Sequence, residues 1–496
     1  MPVKLLVVLA AVASAAVLVG AISAARGELN TTFGSGGKVT TDFGGDETAS
    51  AVALQRDGKI VVAGRGYPLA QSPSDDFLLA RYTARGGLDP SFDGDGKVAT
   101  DFGGRQDFAE DVKIQRDGKI VVVGWSRRGD GSTIALARYH PNGSLDSTFG
   151  PDGTILTAFG AGTFDVGYAV LLQPDGRIVV GGASRSGSTR AFALARHLPD
   201  GTLDPSFGTG GIVTTPIPGR ARDGVFALAV QPGGKLVAAG GSYEGASEVV
   251  LARYSRSGVL DKSFDGDGIV VASFRPMEMV PLHVAVQRDG KIVAAGYGGV
   301  TRLAANGTVD RFFTDAANAV LRCLPSRPCS LNPAAAAIQP DGRILVAGTR
   351  SGKSNDFAVA RLTAKGDPDP TYGRGGVVST DFASDSDDSA TDAVLSSDGK
   401  LTVAGGTGPA WDRSPWNFAV ARYAAFGFCV VPGLRGRTLG AARLVLTRAS
   451  CRIGTIERRY SSTVRKGRVI SQRPRPQTRL VERSKVSVVV SRGRRP

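Results

Sequence analysis

One short string recurs down this chain at nearly constant intervals. Gln-x-Asp-Gly-Lys/Arg-Ile, or a close variant, begins at Gln55, Gln115, Gln173, Gln231, Gln287 and Gln339. A weaker copy, Ser396-Ser397-Asp398-Gly399-Lys400-Leu401, follows, and the steps are 60, 58, 58, 56, 52 and 57 residues. A second element, Leu-Ala-Arg-Tyr in its best form, places its arginine at Arg81, Arg138, Arg196, Arg253, Arg302, Arg361 and Arg422. A third, Leu-Asp-Pro-Ser-Phe in its best form, begins at Leu29, Leu88, Leu145, Leu203, Leu260, Val309 and Pro368. A fixed period of this length means one supersecondary unit made again and again.

Each unit reads as four short strands; in the first they are 38–43, 51–55, 59–63 and 77–82. β-Branched runs, alternation in Ala51-Val52-Ala53-Leu54 and the Asp-Gly turn mark strand and hairpin. With 67 Gly among 496 residues, long helices are disfavoured. Such an array leaves raw strand edges unless it closes, and radial closure removes them. The expected fold is therefore all-β, a seven-bladed β-propeller over residues 29–426. Each blade is expected to be complete in sequence, with the ring closing by packing of the first blade on the last. These strings resemble the delta-60 repeat family of bacterial propeller-like repeats, a likeness that implies a fold and no single activity. Blade five departs most, being the shortest and preceding an irregular segment from Phe312 to Pro333.

Met1 to Gly27 reads as an export signal: Lys4, an apolar run from Leu5 to Ile22, then Ser23-Ala24-Ala25. Small residues there suit cleavage after Ala25, giving a 1–25 signal peptide and a secreted or cell-envelope protein. A membrane association follows only if that segment stays uncleaved. Export permits disulfides, and the four cysteines fall in two local pairs, Cys323 with Cys329 and Cys429 with Cys451. Neither pair has a CxxC spacing or a neighbouring His, so a zinc site is not expected.

From Val431 the pattern changes to a strand, a turn and an amphipathic helix through Leu439…Leu444. Val431-Pro432, Gly467, Gln472-Arg473-Pro474 and Val490-Ser491-Arg492-Gly493 resemble a PASTA domain, a small α+β (βαβββ) module of wall-associated bacterial proteins, over residues 428–493. A basic tail, 494–496, ends the chain. Gln477 replaces a usual Gly of that family, and Cys451 another. The net charge of +15 is concentrated here, since from Phe428 onward the only acids are Glu457 and Glu482. The resemblance implies association with peptidoglycan or another anionic wall polymer, with Arg435, Arg437, Arg465, Lys466 and Arg468 as contacts. Tyr460 is the only aromatic interleaved with this charge, so nucleic acid is not an expected partner.

Chemistry is harder to find. An active site is made once per ring, whereas a structural solution is made once per blade, so the repeated Arg and Asp residues (Arg81 and Asp89 in one unit) are assigned to buried pairing. His140, His197 and His283 all fall inside the repeat pattern, and no Gly-x-Ser-x-Gly elbow accompanies them. Asp93-Gly94-Asp95-Gly96 and Asp265-Gly266-Asp267-Gly268 are fragments of calcium loops without the remaining ligands, and read as turns. No cofactor, metal or catalytic residue is therefore assigned.

The repeats vary in only some connections. The 2–3 and 4–1 turns are nearly identical in every unit, whereas the 1–2 and 3–4 loops differ in each, and these two sets lie on opposite faces of an up-and-down blade. The individual face carries Tyr67, Trp125, Tyr243, Tyr297, Trp411 and Trp416, the expected contacts of an unidentified ligand. The competing expectation is a polysaccharide lyase or glycosidase on the same face, for which Glu47, Glu110, Asp165 and Glu244 are the candidate carboxylates.

Overall fold

The computed structural model describes residues 27–66, 74–103, 106–159, 164–218, 223–241, 248–272, 280–321, 331–384, 386–409, 415–425, 428–481 and 484–495. The export segment, Tyr67, Tyr243, Glu244, Cys323, Cys329 and Trp411 lie outside these. The chain divides into two compact units, one of Leu29–Ser396 with Leu401–Tyr423, the other containing the residues from Ala424 onward.

The larger unit is a β-propeller. Its first blade is the antiparallel sheet Glu47–Leu54, Ile60–Gly66, Asp76–Tyr82 and Lys97–Thr100. The equivalent innermost strands further along are Gln106–Ile114, Phe164–Leu172, Gly224–Val230, Val280–Val286, Leu331–Ile338 and Ser386–Leu395. Each packs on the next, and the last packs on the first. The apolar core sits between neighbouring blades: one cluster joins Phe77 and Leu79 to Val112, Val122 and Tyr139, and another joins Phe33 and Val62 to Ala404 and Phe418.

The blades are phased differently from the repeat. Lys97–Thr100, the opening strand of the second repeat, is the outer strand of blade one. The opening strand of the first repeat, Lys38–Thr41, pairs with Asn417–Ala424 of the last blade in the register Lys38↔Ala421 to Thr41↔Phe418. Packing of a complete first blade on a complete last one is thus corrected: the ring closes by a hydrogen-bonded strand. The strand phase was misread because the pattern of a strand says nothing of which neighbour it pairs with.

The recurrent motifs meet at one place in each blade. Arg196 Nε lies 2.8 Å from Asp204 Oδ2, and Arg177 of the preceding turn lies 2.8 Å from the same oxygen. The Arg196 guanidinium also stacks 4.5 Å over Phe207 and donates to the Arg256 carbonyl of the next blade. Arg81–Asp89, Arg138–Asp146, Arg253–Asp261, Arg302–Asp310 and Arg361–Asp369 repeat the pair at 2.6–3.0 Å. Arg422 continues the series across the closure, 2.9 Å from the Ala84 carbonyl of blade one. Arg81, Arg138, Arg196, Arg253, Arg302 and Arg422 each donate to a carbonyl of the next blade, and Arg361 is paired with Asp369, so the repeated arginines are structural, as their repetition implied.

Blade five has three strands, Val280–Val286, Ile292–Tyr297 and Gly299–Leu303, and a helix, Arg311–Leu321, follows the third. The segment expected to be irregular from Phe312 is thus helical to Leu321. Asp310 Oδ1 accepts from the Phe313 N–H (3.1 Å) and caps the helix, and Phe313, Ala317 and Leu321 are buried on one side at four-residue spacing. Asn318 Oδ1 accepts the Val300 N–H (2.9 Å), a bond to the strand that other blades cover with a fourth strand.

In the smaller unit, Phe428–Val430 pairs with Arg479–Val481, and Lys485–Ser491 runs parallel to Arg452–Arg459 and antiparallel to Val469–Arg473. The helix Leu439–Arg448 is capped by Thr438 and buries Ala442 and Leu446. Cys429 and Cys451 form a disulfide, the local pairing expected. Gln472 accepts from Leu434 N–H (2.6 Å) and donates to the Pro432 carbonyl (2.9 Å), tying the strand Val469–Arg473 to the Val431–Leu434 turn. Gln477 occupies the left-handed region at φ 65°, where the related domains use Gly.

Candidate functional site

A local irregularity in every inner strand builds the site. The ladder to the second strand slips by one residue between Ala49 and Ala51, between Ala109 and Asp111, and at the same place in the other five. A glycine in the second strand makes room: a Cβ on Gly124 would overlap the Phe108 carbonyl, and one on Gly182 the Val166 carbonyl. The bulged residues Ser50, Glu110, Tyr168, Phe226, Leu282, Ala334 and Thr391 all line one central channel of about 370 Å³. The same seven line a wider mouth of about 520 Å³, which also touches Arg65 and Tyr297 at the ends of second strands and Asn355 of a variable connection.

Here the ring is no longer uniform. Glu110 Oε1 accepts the indole N–H of Trp125 (3.1 Å), Trp125 stacks on Phe108 (4.3 Å), and the Arg65 guanidinium lies 4.5 Å over the other ring of that pair. Burial is the main force on Glu110, and despite Trp125 and Arg65 it pushes the carboxyl up to about 7. Tyr168 and Phe226 form a tilted ring pair, 5.0 Å apart. One residue further along, Asp111 receives the Lys113 ammonium on Oδ1 and the Val170 N–H on Oδ2 (2.9 Å). Asp392 Oδ2 accepts the Val52 N–H (2.9 Å), and burial raises its carboxyl to about 6. His283 lines the same channel, its basicity reduced by burial and by Lys113 to about 4.

The aromatic residues expected on the variable face separate accordingly. Tyr297 is exposed and lines the mouth, and Trp125 is half-buried, its N–H committed to Glu110. Trp416 packs instead over the bare backbones of Gly406 and Gly408, its own main chain tied to Asp46 and Glu47, and so serves blade packing. Of the described candidate carboxylates, Glu47, Glu110 and Asp165, Glu110 alone reaches the channel. Glu47 and Asp165 are fully buried and hold the loop N–H groups of Gly45 and Phe159; Asp107 and Asp388 do the same in their blades. They are loop anchors. Asp111, Lys113, Tyr168, Phe226, His283 and Asp392 are the channel residues the sequence reading missed. His197, by contrast, is the expected strand filler, buried with Nδ1 against the Gly201 carbonyl (2.8 Å).

Among the described residues, two acid groups bring carboxylate oxygens within 4.8 Å, Asp76 with Asp101 and Asp107, and Asp356 with Asp381 and Asp388. These are the residues that could hold a cation. In the second, Asp388 is already engaged by Ser386, Thr407 and the Phe382 N–H. The Asp93 and Asp265 turns adopt φ near 50°, ahead of glycines at positive φ, and belong to neither group.

The basic residues of the smaller unit converge. Arg435, Arg437, Arg465, Lys466 and Arg468 are all exposed, on two loops joined by a bridge between Thr438 and Arg468 and by Arg468 donating to the Gly436 carbonyl (2.7 Å). No helix of the described residues is long and apolar enough to cross a membrane.

Family comparison matches residues 55–92, 115–149, 173–207, 231–264, 287–313 and 339–372 to the DUF5122 β-propeller, a domain of unknown function, and 430–492 to the PASTA domain. No curated protein matches the sequence. Solved structures with a similar fold include virginiamycin B lyase from Staphylococcus aureus (10% identity, TM-score 0.44, covering 77% of this chain and 98% of that one). Others are Sqt1 from Chaetomium thermophilum (10%, 0.42, 77% and 97%) and a gluconolactonase from Xanthomonas campestris (12%, 0.37, 81% and 96%). At these values none carries an argument about activity.

Proposed function

Because the chain joins a DUF5122 β-propeller to a PASTA domain, we propose that it is an exported, wall-associated binding protein. The PASTA domain holds an anionic wall polymer through Arg435, Arg437, Arg465, Lys466 and Arg468, and the propeller takes a ligand at its channel mouth. One observation carries the second half: in a ring built from a repeated unit, the side chains that do not repeat gather around one opening, among them Glu110, Tyr168, Phe226 and Tyr297. Sequence variation gathered at one opening of a fixed scaffold is the usual signature of recognition.

Co-sedimentation of the full chain with purified sacculi, at low and high salt, tests the wall reading. Pelleting that persists at high salt and fails when the five basic residues become Ala supports it. Pelleting that vanishes with salt reduces the patch to non-specific charge. No pelleting at low salt removes the reading.

A second reading, glycan cleavage, is favoured by Glu110 alone, whose carboxyl is held near the pH at which a general acid works. Turnover of wall polysaccharide that disappears in Glu110→Gln would replace binding by catalysis. A broad glycan panel without turnover would remove this alternative.

A further inference from the structure

Deep in the ring the repeat breaks in a chemically consistent way. Four residues before the Gln of each repeat, or before Ser396 in the last, the inner strands carry Ala51, Asp111, Ala169, Ala227, His283, Ala335 and Asp392. Alanine is the small, neutral solution for a crowded channel, and the departures from it are two carboxylates and an imidazole in a single cavity. Glu110 adds a third carboxylate one position earlier. Lys113 is the cation among them, and its ammonium is already taken by Asp111. Arg65 at the rim is stacked over Phe108.

The backbone holds these acids in place. The next blade's N–H groups fix Asp111 and Asp392, through Val170 and Val52, and Trp125 fixes Glu110. His283 stays neutral near pH 7 because burial opposes its charge, and its buried Nδ1 has no hydrogen-bond partner among the described residues. The groups facing the cavity or its rim are thus Arg65, Glu110, Asp111, Lys113, Tyr168, His283, Tyr297 and Asp392. Lys113 is committed to Asp111, so among the described residues Asp392 has no paired cation and Glu110, once ionised, has only Arg65 at the rim; a carboxylate held away from water without a counter-ion is costly. An anionic ligand would raise that cost, and a wholly apolar one would leave it in place. A chelated metal is disfavoured too, because these acids are not among the groups whose oxygens converge within 4.8 Å. Beside them stands the Tyr168–Phe226 pair, whose ring faces attract cations and accept the apolar face of a sugar or alkyl chain.

We propose that the channel receives a primary ammonium group, carried on a sugar or a short chain, which enters at the variable face, lies against Tyr168 and Phe226, and sets its charge among Glu110, Asp111 and Asp392. This rests on the reading of the channel mouth as the ligand site and adds the chemistry of the ligand.

The test is calorimetry on the full chain near neutral pH with four probes: D-glucosamine, putrescine, N-acetyl-D-glucosamine and D-glucuronate. At least one amine is expected to bind about tenfold or more tightly than the acetylated sugar, with glucuronate weakest. Glu110→Gln and Asp392→Asn should each weaken amine binding by about tenfold and leave sacculus pelleting unchanged. Glucosamine alone binding assigns the ammonium to a sugar, and putrescine alone to a chain. N-acetyl-D-glucosamine binding as tightly as the amines, insensitive to both substitutions, overturns the ammonium assignment and leaves a binding mouth standing. Binding by none of the four overturns it as well, while the sacculus experiment judges the wall reading separately.

Discussion

The indole N–H of Trp125 reaches the carboxylate of Glu110 across 3.1 Å, joining the second strand of blade two to the bulge on its inner strand. A ring built from repeats has no such bond elsewhere among the described residues, since the equivalents of Glu110 are Ser50, Tyr168, Phe226, Leu282, Ala334 and Thr391. Trp125 keeps the acid facing the channel, and burial keeps it protonated to about pH 7.

That proton has a consequence for stability. The folded chain retains it up to about 7, whereas an unfolded glutamate releases it near its ordinary 4.5, so between the two the native state binds more protons. Glu110 therefore favours folding fully below about 4.5, and the benefit is lost as pH rises through about 7. Asp392, raised to about 6, acts in the same direction. Glu110→Gln should flatten the fall in Tm between pH 5 and pH 8, by a margin on the order of 1–3 kcal/mol. Thermal melts of both proteins across that range check it, and an unchanged slope would sink it.

The arginine ties predict the opposite pH sense. Burial would raise the Asp204 carboxyl, but hydrogen bonds from Ser206 and the charges of Arg177 and Arg196 bring it down to about 2, and Asp89 is held at about 2 by Lys59, Ser91 and Arg81. Stability from such depressed acids is complete above the ordinary 3.8 and is lost as pH falls through about 2. Acid unfolding is expected to steepen across that window. At neutral pH, Arg361→Ala takes one of two arginines from Asp369, leaving Arg343 2.9 Å from the same oxygen, and should cost about 1–3 kcal/mol, whereas Arg361→Met with Asp369→Leu should cost less. Denaturant titration separates the two, and equal losses would mean that packing, rather than charge, dominates the tie.

Much of this architecture is legible in the repeat. The strands, the ring and the structural role of Arg81 and its equivalents all follow from period and pattern. The phase of the blades does not, because Lys38–Thr41 has the same sequence character whether it pairs with Glu47–Leu54 or with Asn417–Ala424. The channel was obscured for a related reason. A repeat is defined by what its copies share, and the site consists of what they do not: Asp111, His283 and Asp392 stand where other inner strands have Ala, four residues before the motif glutamine or Ser396. That contrast is present in the sequence, at a fixed distance from the repeated motif. Trp416 shows the converse, since an aromatic residue on the variable side is spent on the backbones of Gly406 and Gly408.

The closing strand gives a third expectation. Removing the residues before Glu47 takes away Lys38–Thr41, the Thr41–Tyr82 hydroxyl bond (2.7 Å) and the buried Phe33. Asn417–Ala424 then becomes an open edge, which invites pairing with another chain. The truncated protein should melt at a lower temperature and self-associate in size-exclusion chromatography. A monomer with an unchanged Tm would show that the ring is held by inter-blade packing alone, as the sequence had suggested.

The smaller unit supplies a last test, because its core is small and its disulfide spans a sequence separation of 22 residues. Closing a loop of that size restricts the unfolded chain by about 3 kcal/mol. The helix Leu439–Arg448 lies between the two cysteines, and Cys429 and Cys451 are both in its core. Reduction, or Cys429→Ala with Cys451→Ala, should therefore lower the stability of this unit by roughly that amount. Hydrogen exchange on the full chain, oxidised and reduced, reports each unit separately. Faster exchange across 439–491 with unchanged protection of the inner propeller strands is the expected result. Equal protection in both states would mean that Val431, Leu446 and Val488 hold the unit without the bond, and that the cysteines contribute packing alone.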